Sequence, residues 1–149
     1  MPVLDATQLC LLFAGIFFLV GLLTGVWKYR QIETSANARP TRYVDIAHRS
    51  SLLYAFAAIL LKEFVPFSPL SETGTLLAVA IPLFFFAAAI ASYILHGALN
   101  DTTNQLAKPH RLGRFTLPVA AMKLFMWALI VGEIGGFVVL FYGFLKTVF

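Results

Sequence analysis

The chain has 149 residues, 60% of them hydrophobic and only 12% charged, with a mean hydropathy of +0.84. A water-soluble domain carries about 25% charged residues, so the composition argues against a soluble globular protein and for a membrane protein. The net charge of +4 needs no nucleic-acid partner to explain it, and the single cysteine excludes both an intrachain disulfide and a CxxC redox site.

Four apolar segments predict helices over about residues 8–27, 48–67, 75–100 and 117–146. A spanning helix needs about 20 largely apolar residues, and in hydrocarbon only helices or closed barrels satisfy their own backbones. The expected fold class is therefore all-α: a polytopic membrane protein forming one four-transmembrane-helix bundle, with residues 1–149 as a single domain. The first segment has no positive charge ahead of it and is longer than a signal core, so it reads as a retained helix. Within it Gly21 and Gly25 stand at small-xxx-small spacing, a signal of close packing. Trp27 and Tyr29 then mark an interface.

Lys28, Arg30, Arg39, Arg42 and Arg49 follow the first helix, and Lys108, Arg111 and Arg114 precede the fourth. The intervening loop holds only Lys62, balanced by Glu63 and Glu72. The positive-inside rule places loops one and three in the cytoplasm and both termini outside, and the short hydrophilic ends with no sorting signal suit a bacterial inner membrane. The second helix is expected to begin near His48, with Ser51 and Tyr54 about 60° and 120° away round the helical wheel. These three form a polar arc, and Pro66 and Pro69 end the helix.

In the third helix Ser92, His96, Asn100 and Asn104 recur every fourth residue, with Tyr93 beside them. That spacing places them on one face. Helices two and three run in opposite directions, so the stripe and His48 are expected at one depth, in one cavity. The fourth helix opens near Pro118. It carries Lys123, able to snorkel to the interface, and Glu133, too deep to do so. An ionisable group inside a membrane is a functional candidate by default; Gly132 and Gly136 beside it suggest close helix packing. His110, within Lys108-Pro109-His110-Arg111, reads as a basic loop residue.

Neutral imidazole is the commonest side-chain metal ligand, and a haem needs only one or two axial ligands from the chain. No HExxH, phosphate-binding loop, GxGxxG or Ser-His-Asp order is present. Three stretches carry a resemblance: Gly21-Leu22-Leu23-Thr24-Gly25, Ala47-His48 six residues before Tyr54, and His96-Gly97-Ala98-Leu99-Asn100. In order and spacing the chain resembles the small membrane family of hydroxylaminobenzene mutases and styrene oxide isomerases.

The resemblance implies a four-helix protomer, a homotrimer, and a haem b near a subunit interface on the histidine matching His48. The ferric iron would act as a Lewis acid, opening an epoxide toward a carbonyl product. This chain departs from the pattern at Tyr54, where the family has Asn, at His96, where it has an acidic residue or Tyr, and at Asn104, which matches a Tyr. The expected site has His48 on the haem iron with Ser51 beside the cofactor, and Tyr54, His96 and Asn104 as catalytic residues. Asn100 and Tyr93 line a pocket for a small apolar substrate, aromatic or epoxide-like. Two alternatives stand beside this enzyme: a bis-histidine membrane cytochrome with His96 as second axial ligand, and a haem-free structural or binding protein.

Overall fold

The computed structural model describes residues 4–149. Its helices are α1 (Ala6–Thr34), α2 (Arg42–Phe64), α3 (Glu72–Leu99) and α4 (Val119–Val148). All four are long and apolar enough to cross a membrane, and they form the expected all-α bundle. A short 3₁₀ turn, Val65–Phe67, extends α2. Between α3 and α4 lies a small hairpin, β1 (Arg111–Leu112) and β2 (Phe115–Thr116), paired Arg111↔Thr116 and Leu112↔Phe115. By connectivity, loops one and three lie at the same end of the bundle.

Helix ends follow local chemistry, with two departures from expectation. Asp5 opens α1 with a capping box: its carboxylate accepts from Gln8 N at 2.7 Å, and Gln8 Oε1 accepts from Asp5 N at 3.3 Å. Helix α1 then continues past Trp27 to Thr34, which leaves residues 35–41 as loop one. Helix α2 begins at Arg42, so His48 lies more than a turn inside it rather than at its head. Tertiary packing accounts for the extension, because Tyr43 and Val44 in the first turn are buried. At the other boundary α3 stops at Leu99, where Asn100 adopts the left-handed conformation (φ 47°) and donates its N–H to the His96 carbonyl. Asn tolerates this backbone better than most residues.

Helices α1 and α2 share the most extensive packing in the bundle. Small side chains allow it: Cys10 and Ala14 of α1, and Ala47, Ala55 and Ala58 of α2, are all buried. Helix α4 is held differently, with only Leu140 and Gly143 buried. Its glycines set the approach. A Cβ on Gly132 would meet Phe85 at 2.6 Å, one on Gly136 would strike the Ala78 carbonyl and Pro82, and one on Gly143 the Phe67 carbonyl. At the end away from loops one and three, the Phe64 ring meets Phe137, Phe141 and Phe144 edge-on at 5.5, 5.8 and 5.4 Å. Leu23, Phe56, Phe84, Leu124, Trp127 and Val131 are exposed on the outside, the surface a bundle presents to lipid rather than to water.

Candidate functional site

His48 is seated on α1. Its Nδ1 lies 2.8 Å from the Gly21 carbonyl oxygen. A carbonyl only accepts, so Nδ1 carries the proton and the neutral ring keeps its lone pair on Nε2. Gly25 makes the seat possible, since a Cβ there would come within 2.9 Å of His48 Cε1 and 3.1 Å of Nδ1. Thr24 Oγ1 donates to the Val20 and Gly21 carbonyls at 2.7 and 3.1 Å. The Gly21–Gly25 stretch and the Ala47-His48 pair, far apart in sequence, thus meet in space. The ring is half-buried. On the same α1–α2 face lies an apolar depression of about 500 Å³ lined by Gly15, Phe18, Phe56 and Ile59 among others.

His96 belongs to a different constellation. It is 4% exposed, and its Nδ1 donates to Asp101 Oδ1 at 2.8 Å. The other carboxylate oxygen of Asp101 accepts from Gly113 N, at the turn of the hairpin, where Gly113 has φ 58°. Burial raises the pKa of Asp101, but the Gly113 amide and then the His96 ring more than offset it, holding the carboxyl below its ordinary range. The Tyr43 ring lies 5.0 Å from the His96 ring and 6.2 Å from Tyr93. Tyr43 Oη accepts from Gln105 N, Ser92 Oγ donates to Gln105 Oε1 at 2.8 Å, and His110 Nδ1 donates to the Gln105 carbonyl at 3.2 Å. Loop three is thereby fastened under the ends of α2 and α3.

The two histidines do not meet as expected. Tyr43 and His48 are five residues apart on α2, about 140° round its axis. Tyr43 faces His96, and His48 faces α1. The cavity that His96 lines is formed by α3, loop three and α4, and His48 is not part of it. No hydrogen bond or ring contact joins them.

The remaining expected site residues are redistributed. Ser51 is fully buried and donates to the Ala47 carbonyl of its own helix at 2.7 Å, which commits its hydroxyl hydrogen within α2. Tyr54 stacks on Phe86 at 4.4 Å, and Tyr93 on Tyr43, both as packing rings. Asn100 is exposed and serves as the stop of α3. Asn104 is exposed in loop three, where its Oδ1 accepts from Leu106 N at 3.0 Å, a local turn rather than a pocket group. His110 is 5% exposed, a buried strut rather than a free loop residue. The residues that organise the His96 region, Tyr43, Asp101, Gln105 and Gly113, were not singled out by the sequence pattern.

Glu133 Oε1 is buried with no hydrogen-bond partner among the described residues, within electrostatic range of Tyr54 and Tyr93. Lys123 is exposed on the first turns of α4. Among the described residues no three His, Cys, Asp or Glu side chains come together as a metal cage. A haem is less demanding, because the porphyrin brings its own equatorial nitrogens and asks the chain for an axial donor. His48, with Nδ1 fixed and Nε2 left over, fits that requirement.

Compared with family models, with curated proteins and with solved structures, the chain matches none.

Proposed function

We propose that this chain is a membrane-embedded haem protein that uses His48 as its one axial ligand and isomerises a small apolar, oxygen-bearing substrate. The observation that carries the reading is the bond from His48 Nδ1 to the Gly21 carbonyl. Metal-ligating histidines characteristically give their second nitrogen to a carbonyl or carboxylate, which fixes the tautomer and aims the ring. Here Gly21 supplies the carbonyl and Gly25 the clearance, the part that the Gly-Leu-Leu-Thr-Gly resemblance plays in the chain. A bound haem would supply a Lewis-acidic iron able to polarise a substrate oxygen.

The chain's own contribution is orientation and exclusion of water. His48 binds, Gly21 holds the ring, and the apolar α1–α2 face leaves little for water to solvate. That face is open in one protomer, with Leu22, Val26, Leu53 and Phe56 exposed. A second copy of the chain, in a trimer with loops one and three cytoplasmic, would cover the cofactor there. The commitment of His96 to Asp101 on another face favours one axial histidine over the bis-histidine cytochrome.

The test is an absorption spectrum of detergent-purified protein. The expected result is a Soret band with high-spin ferric character that shifts on adding azide, together with conversion of an aryl epoxide to its aldehyde. His48→Ala should lose the band. Absence of any Soret band in haem-supplied wild type, or full haem retention by His48→Ala, sinks the reading.

A further inference from the structure

The α3–α4 cavity is separate from the His48 seat and has chemistry of its own. Its volume is about 490 Å³, within the ordinary range for small-molecule sites. Its wall is mainly apolar and sulfur-rich, with Leu95, Leu112, Leu117, Met122, Phe125 and Met126. Three polar residues interrupt it: Ser92, His96 and Gln105.

The polar atoms are already oriented. Asp101, held ionised by the Gly113 amide and the His96 ring, can only accept, so Nδ1 of His96 carries a proton. In the neutral form of the ring Nε2 is an acceptor, and that atom has no partner among the described residues. Gln105 has its Oε1 occupied by the Ser92 hydroxyl. Its amide NH₂ is left as a donor, again without a partner among the described residues. One acceptor and one donor in an apolar cavity are the complement of a single hydroxyl, which gives one hydrogen and accepts one or two. Methionine sulfurs and the Phe125 ring suit an aromatic body.

We infer that the cavity between α3, loop three and α4 binds a small aromatic molecule bearing one hydroxyl group, which donates to His96 and accepts from Gln105. Asp101 is a positioning residue for the ring, and loop three is the roof. The site does not depend on haem or on His48.

The probe is 1-naphthol, followed by its own fluorescence against the full chain in detergent micelles, with protein-free micelles as blank and 1-methoxynaphthalene as the comparison. Saturable binding of one naphthol per protomer is expected, with the methyl ether at least tenfold weaker. His96→Phe and Gln105→Leu should each weaken naphthol at least tenfold. Ala121→Phe, which adds bulk at a lining position that is not one of the polar residues, should abolish binding and decides the matter if His96→Phe does not fold. His48→Ala should leave naphthol binding unchanged. Non-saturating uptake of naphthol and ether alike, as into any lipid-like surface, overturns the proposal. So does full naphthol binding by Ala121→Phe, or loss of binding in a folded His48→Ala.

Discussion

The two imidazoles at one end of the bundle are held by opposite means. His48 rests on a backbone carbonyl and a glycine, its hydrogen bond made to no charged group, with one edge toward the outside. His96 is held by a carboxylate that is itself anchored to a hairpin, and it is buried. Shape positions the first and charge positions the second. Both rings end with Nδ1 protonated and Nε2 available, but the first offers it at a surface and the second inside the protomer. On the readings proposed above, the same residue type would serve a large group at the α1–α2 face in one place and a small molecule between α3 and α4 in the other.

The strongest way to break this contrast is steric. Gly25→Leu forces a side chain into the His48 ring, whose Cε1 lies only 2.9 Å from where the new Cβ would stand; overpacking of this kind costs about 1–3 kcal/mol. Haem content, read as the pyridine haemochrome, should fall at least tenfold while naphthol binding persists. Equal haem content would show that the glycine seat does not aim the ring.

The next variant acts on charge. Asp101→Asn removes the ionic acceptor of a buried bond, a loss of about 1–3 kcal/mol. Limited proteolysis within residues 100–118 should accelerate while haem content stays at the wild-type level. The same pair predicts a pH effect. The folded-state pKa of Asp101 is depressed, so its stabilisation is complete above the ordinary carboxylate pKa and is lost as pH falls through the lower, folded value. Hydrogen exchange in loop three should show this acid limb in wild type and lose it in Asp101→Asn, whereas the α1–α2 seam keeps an acid limb of its own from Asp45, which Lys28 holds low through a 2.6 Å ion pair.

The smallest effects are expected at Ser51→Ala and Asn104→Ala, whose side chains bond only to nearby backbone. Changes within about 0.5 kcal/mol are typical of such positions, and haem content and naphthol affinity should both hold. A large loss in either would restore the residue to a site.

The four spans were legible because each is a long run of apolar residues, and the tight approach of α4 was legible in Gly132 and Gly136. Asn104 was misplaced for a specific reason. A row of every fourth residue shares a face only while the helix continues, and Asn100 ends α3 before the row is complete. The start of α2 was missed because Arg42 and Asp45 look like loop residues, whereas the burial of Tyr43 and Val44 holds them in a helix. The His96 cluster depends on bonds across sequence, Asp101 to Gly113 and Tyr43 to Gln105, and such bonds leave no periodic trace. His48 and the glycines of α1 were each conspicuous, yet nothing in their spacing announced that they touch.

The chain's only thiol, Cys10, has 0% exposure in the α1–α2 seam. A maleimide should therefore pass over the natural protein, which then serves as its own blank for scanning without the disruption of removing a packed residue. Single reporter cysteines at Ala36 and Thr73, both exposed at opposite ends of the bundle, would test the orientation proposed from the positive-inside rule, under which Thr73 is the one labelled from outside the cell.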